Sequence, residues 1–170
     1  MNDSLKKFLV PLISWCIVVW ICRVFLTSIP YKFTNHPDTQ HIFGTIGNWM
    51  GEVFFEWLGT FFARFGPYLV GSFEILTSLV LIAPAIYWIS GLLGMSKSQG
   101  VRQKFHQFGG LMASAVMTGA VFFHLFTPLG VEVLHQGESD EGSLFYAAVS
   151  IVLLGVVLFL LNRRTGSLPG

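Results

Sequence analysis

Three ionisable side chains, Arg23, Glu74 and His124, stand inside long apolar runs of this 170-residue chain. A charge near the centre of a bilayer costs about 3 kcal/mol or more, so such groups pair, bind a ligand or move protons. Together they could form a redox-cofactor or proton-handling pocket in which charged groups bind a headgroup. The depths agree: at 1.5 Å per residue, Arg23 and Glu74 fall about 9 Å and His124 about 5 Å from the outer ends of their runs. The helical faces agree too, with Glu74 aligned on Gly71 and Ser78, His124 on Ala120, Met117 and Ala113, and Arg23 on Trp20, Cys16 and Thr27. An Arg23–Glu74 pair with His124 in reach is expected. The competing reading is a structural Arg23–Glu74 pair that only fixes helix register, in a non-enzymatic scaffold or transport-related bundle.

The elements that must position these residues follow from composition. Hydrophobic residues make up 53% of the chain and charged ones 11%, outside the range of soluble domains. Runs over 8–29, 68–93, 109–127 and 143–161 are each long enough to cross a core about 30 Å thick. The expected fold is therefore all-α, an integral membrane four-helix bundle in a single domain, 1–170. No small-residue cleavage site follows the first run, so it is expected to be a retained helix rather than a signal. Between the first two runs lies a segment too aromatic for a solvated linker. Asn48, Glu52, Glu56, Thr60 and Arg64 recur every four residues there, with aromatic and aliphatic residues between them. That pattern predicts an amphipathic interfacial helix over about 42–65, and Trp49, Glu52, Glu56 and Trp57 are candidate lid residues above the pocket. The third run carries Gly109 with Ala113, Gly110 with Ser114, and Ala115 with Gly119, spacings that let helices pack closely.

Lys6, Lys7, Lys97, Arg102, Lys104, Arg163 and Arg164 fall on one side of the spans, and the opposite loops are acidic. The positive-inside rule makes the basic side cytoplasmic and places both termini there. The tail after Arg164 is expected to be disordered. A net charge of +1 without a basic block argues against nucleic acid as partner. Cys16 and Cys22 sit about 240° apart on one helix and cannot pair within it. His36, His41 and His135 lie near Asp38 and Glu132 and are weak candidates for a metal or haem site. Their spacing matches no known coordination motif, so solvated loop histidines are the better reading and no metal is expected. His106, beside Arg102 and Lys104, reads as an interface residue. No phosphate-binding loop, dinucleotide fingerprint or Ser–His–Asp set occurs, so any catalysis would borrow a cofactor.

Several segments in order carry a family resemblance. They are Tyr31-Lys32-Phe33-Thr34 with His36-Pro37, Phe43, and Gly71-Ser72-Phe73-Glu74-Ile75-Leu76. His124-Leu125-Phe126-Thr127 with Leu129-Gly130-Val131-Glu132-Val133, and Ser143-Leu144-Phe145, complete the set. In these the chain resembles DoxX-family membrane proteins, departing from them at about 48–65 and in the loop His135 to Glu141. The resemblance implies a four-helix inner-membrane bundle, linked with quinone-dependent oxidoreductases including a subunit of thiosulfate:quinone oxidoreductase. It places Glu74 and His124 at family-typical positions. On that basis an accessory or scaffold subunit of a quinone-linked redox complex in a bacterial-type inner membrane is expected, with the lipid bilayer and other redox subunits as partners. The resemblance makes quinone the expected occupant of the pocket: Arg23 would hydrogen-bond a quinone carbonyl, Glu74 would orient Arg23 or relay a proton, and His124 would exchange protons with the outer side.

Overall fold

The computed structural model describes residues 3–92, 100–135 and 137–163. Its elements are α1 (Asp3–Phe33), α2 (Pro37–Val53), α3 (Glu56–Leu92), α4 (Val101–Phe126), a two-residue ladder β1 (Leu134–His135) and β2 (Glu138–Ser139), and α5 (Ser143–Asn162). Among the described residues four helices, all but α2, are long and apolar enough to cross a membrane. The shortest, α5, has 20 residues and spans about 30 Å. Lys97, Arg164 and the rest of the tail lie outside the described residues.

The expected spans are present, but three of them run longer than expected. α1 continues through Pro30 to Phe33, because the Pro30 carbonyl still accepts from Thr34 N at 3.0 Å and Thr34 Oγ1 at 2.7 Å. α4 starts at Val101, eight residues before the expected boundary, and α5 matches its expectation to one residue. The largest difference is in the segment 42–65. It is not one interfacial helix: it breaks at Phe54–Phe55, and residues from Glu56 onward are the first turns of α3. Glycines explain the reversal. A Cβ on Gly47 would lie 2.7 Å from both the Ala63 Cβ and the Gly59 carbonyl oxygen. A Cβ on Gly59 would strike the Gly47 carbonyl oxygen and the Gly51 backbone. Bare backbones thus let α2 lie flat against α3 as a helical hairpin whose tip carries the exposed Phe54, Phe55 and Trp57.

The main core forms where α1, α3, α4 and α5 meet, around Ile21, Phe25, Leu81, Ala113, Ile151 and Leu158. α4 and α5 approach closely because a Cβ on Gly110 would lie 2.6 Å from the Gly155 carbonyl oxygen, and Ser114 Oγ donates to Val152 O at 2.9 Å. Gly109 likewise receives Leu81 of α3. Of the small-residue pairs expected on α4, only Ala115 with Gly119 fails to face a neighbour: Ala115 is exposed, and a Cβ on Gly119 meets nothing within 4 Å. A smaller cluster of Ile46, Leu129 and Val133 joins α2 to the α4–α5 loop.

At the bundle end away from α2, Asn162 Nδ2 donates to Ser14 Oγ at 2.9 Å while Arg102 Nη1 donates to Asn162 Oδ1 at 2.9 Å. This ties α1, α4 and α5 together. His106 is not the interface residue its basic neighbours suggest. It is fully buried, edge-on to Trp15 at 4.7 Å, and among the described residues neither ring nitrogen makes a hydrogen bond of acceptable geometry.

Candidate functional site

Glu74 is 2% exposed, on the face of α3 that also buries Gly71, Thr77, Ser78 and Leu81. Its cation is Lys32, not Arg23. Lys32 Nζ donates to Glu74 Oε2 at 2.8 Å, to Oε1 at 3.1 Å and to Ser28 Oγ at 2.7 Å. Ser28 Oγ in turn lies 2.9 Å from Glu74 Oε2 and 2.7 Å from Phe25 O, two acceptors for its one proton. The register of α1 decides which cation is chosen. Its inward positions Ser14, Val18, Ile21, Phe25, Ser28 and Lys32 alternate steps of four and three, the spacing of a helix seam. Arg23 is about 200° around the helix from Ile21 and so points the other way; it is exposed, as are Cys16, Trp20 and Thr27 on the same side. Gly71 completes the placement, because a Cβ there would lie 2.6 Å from the Phe33 ring. The last turn of α1 therefore lies directly on α3, with Lys32 over the carboxylate.

His124 is 8% exposed near the end of α4. Its Nδ1 is 2.7 Å from the Gly130 carbonyl oxygen. A carbonyl only accepts, so Nδ1 carries the proton and Nε2 is the nitrogen left for other partners. Phe145 packs edge-on against the ring at 5.7 Å. The loop that supplies Gly130 is held by Asp140, whose carboxylate accepts from the backbone N–H groups of Val133 at 2.8 Å, Gly142 at 3.0 Å and Leu144 at 3.0 Å. Partial burial pushes the Asp140 pKa up, but these bonds, with that from Ser143, outweigh it and hold the carboxyl below its ordinary range.

Glu74 and His124 line one cavity of about 240 Å³, together with Ser28 and Lys32. The remaining wall is apolar, drawn from α2, α3, α4 and α5 and including Phe43, Ile46, Phe62, Val70 and Met117. Two of the three expected pocket residues therefore converge, and Lys32 stands where Arg23 was expected. Arg23 instead lines a neighbouring groove of about 450 Å³, which shares Val24, Ser28, Lys32, Ile42, Phe43 and Leu144 with the cavity. The expected lid is also displaced. Trp49, Glu52, Glu56 and Trp57 do not line the cavity, because the hairpin carries its tip away from it; Ile42, Phe43, Ile46 and Phe62 cover it instead. Trp49 packs on Phe54 and Phe122, and Trp57 is 68% exposed.

His36 Nδ1 accepts from Asp38 N at 3.3 Å and so caps α2, His41 is exposed, and His135 belongs to β1. Among the described residues no group of three or more His, Cys, Asp or Glu is placed to hold a metal ion. Lys32 lies three residues beyond the first expected run, 8–29, so an apolar run alone does not place it on the helix. The four-three spacing from Ser14 to Lys32 is the signal that identifies it. No family model, curated protein or solved structure matches the chain.

Proposed function

We propose that this multi-pass membrane protein is a DoxX-like accessory subunit of a quinone-linked redox complex, in a bacterial-type inner membrane with both termini cytoplasmic. The headgroup site is the cavity lined by Lys32, Glu74 and His124. One observation carries this reading: an apolar cavity whose lining includes titratable groups from three helices, Lys32 of α1, Glu74 of α3 and His124 of α4. Its volume of about 240 Å³ lies below the range of about 300–1,000 Å³ for drug-sized ligands, so it fits a single small ring rather than a large cofactor. A quinone bound there would supply two-electron, two-proton chemistry, with electrons delivered by a neighbouring redox subunit. This chain would bind and orient the ring. The Lys32 ammonium would hydrogen-bond one carbonyl by sharing a donor now given to Ser28 or Glu74. His124 would exchange a proton at Nε2, its tautomer fixed by Gly130. The apolar wall would exclude water.

Thermal unfolding of the purified protein with a short-chain ubiquinone analogue tests the proposal. A ligand at about 100 times its Kd stabilises by about 2.7 kcal/mol. A rise in Tm for the wild type that Glu74→Gln and His124→Ala both abolish supports the site. No rise with either ubiquinone or menaquinone analogues removes it. The second reading, an enzymatically silent scaffold, also has an observation in its favour: the three donors of Lys32 already have three acceptor atoms within the chain. It predicts loss of stability in Glu74→Gln and no response to quinone.

A further inference from the structure

We propose that the α2–α3 hairpin rests in the lipid–water interface at its end of the bundle, with the aromatic side of its tip sunk among acyl chains beside α4. This holds whatever fills the inner cavity and whichever side of the membrane is cytoplasmic. The exposed positions at the start of α3 fall into two stripes. Trp57, Phe61 and Phe65 repeat every four residues, and the exposed Tyr68 and Leu76 continue within about 100° of them around the helix. Leu76 lies well inside the run that crosses the membrane. The aromatic stripe is therefore the outward continuation of the face that α3 turns to lipid. Glu56, Thr60 and Arg64, also exposed, repeat beside it, and the remaining side carries Gly59, Ala63 and Gly66 against α2. A helix with one side packed, one aromatic and one polar is built to lie along an interface.

Ring contacts set the depth of the tip. Phe122 and Phe126 of α4 are exposed, with ring centroids 5.0 Å apart. Phe122 is 6.5 Å from Trp49, and Trp49 is 5.8 Å from Phe54. Phe122 stands only about 6 Å from the end of α4, a helix long and apolar enough to cross a membrane. Phe54 is thus two ring contacts from the lipid-facing side of a spanning helix, and the tip continues that surface instead of standing clear of it. Phe54, Phe55 and Trp57 are all exposed, and Phe55 stacks on Trp57 at 6.3 Å. Aromatic rings, tryptophan above all, collect at the headgroup boundary. Charges limit the insertion. Glu52 and Glu56 flank the break and are exposed; a carboxylate is too short to reach water from deep among the chains, so these two hold the tip at headgroup level. Arg64 lies over the Phe65 ring at 5.3 Å, where its long stem reaches the headgroups. Continuity with the lipid-facing sides of two spanning helices favours acyl chains over a protein partner as the cover.

Nitroxide labelling of the full chain in liposomes of phosphatidylethanolamine and phosphatidylglycerol tests this, with Cys16→Ser and Cys22→Ala removing the native thiols. Labels are placed singly through Trp57→Cys, Phe61→Cys and Phe65→Cys on one stripe and Glu56→Cys, Thr60→Cys and Arg64→Cys on the other. Oxygen, which partitions into acyl chains, should be the stronger relaxant at the first three, and a water-soluble nickel chelate at the last three. Nickel dominating at all six overturns the proposal, because the hairpin then stands in water. Weak relaxation by both reagents at Trp57→Cys, Phe61→Cys and Phe65→Cys also overturns it, because a protein surface, a second copy included, then covers the stripe. A label replaces the ring it reports on, so native fluorescence supplies the second measurement. Lipids brominated in the upper part of their acyl chains should quench a larger fraction of the tryptophan emission in the wild type than in Trp57→Phe, which keeps an apolar ring at the tip. An equal or larger quenched fraction in Trp57→Phe places that side chain outside the chains and overturns the proposal.

Discussion

Replacing Glu74 by alanine leaves the Lys32 ammonium, 15% exposed, with Ser28 as its one remaining acceptor among the described residues. Breaking a buried pair from one side costs about 3–5 kcal/mol. Lys32 lies in the last turn of α1 and can turn outward, so the lower end, about 3 kcal/mol, applies. For a chain of this length each kcal/mol shifts Tm by about 2–4 °C, giving a predicted fall of about 6–12 °C. Glu74→Gln keeps an acceptor and should lose about half as much. Removing both charges, as Lys32→Met with Glu74→Leu, should recover to within about 1 kcal/mol of the wild type, because neither desolvation penalty remains. The decisive assay is a pair of double-mutant cycles read by thermal unfolding in detergent. Lys32 and Glu74 should couple by about 1–3 kcal/mol, whereas Arg23 and Glu74 should be additive within about 0.5 kcal/mol. Coupling between Arg23 and Glu74, with none between Lys32 and Glu74, would refute the assignment of α1's seam.

Two further outcomes follow from the loops and the hairpin. Gly59→Ala should cost about 1–3 kcal/mol, because its Cβ collides with the α2 backbone. Gly44→Ala, with nothing within 4 Å of the new Cβ, should be neutral or stabilising by about 0.5–1 kcal/mol; equal melting temperatures would mean that α2 does not pack on α3 as described. The lowered pKa of Asp140 sets a direction with pH. Its contribution is fully present above the ordinary value of 3.8 and is lost as pH falls below that through the folded value. Protection factors at Val133, Gly142 and Leu144, which divide out the slower intrinsic exchange in acid, should therefore fall in acid for the wild type, and Asp140→Asn should show low protection already at neutral pH. Protection that does not change with acid in the wild type would show that the carboxylate does not hold the loop.

The four spans were legible because twenty apolar residues in a row admit few other structures, and the buried faces of Glu74 and His124 followed from their small helical neighbours. What failed was phase and continuity. Grouping Arg23 with Cys16, Trp20 and Thr27 identified a true face, but the wrong one: that side is exposed, and Ile21 and Phe25 mark the seam. In a membrane protein the polar side of a helix can face outward as easily as inward, so polarity alone does not orient it. The break at Phe54–Phe55 was hidden because the four-residue repeat from Asn48 to Arg64 runs unbroken through the turn. The information that folds the hairpin lies in Gly47, Gly51 and Gly59, whose contacts are between backbones and leave no hydropathy signal.

The backbone contact between α2 and α3 also has a mechanical consequence. With glycines interlocked at Gly47 and Gly59, α2 cannot slide along its partner; the two helices move as one lever arm. The same α3 carries Glu74 on the other side of Pro67, where a missing N–H leaves the Ala63 carbonyl outside the helix ladder and gives the rod a natural pivot.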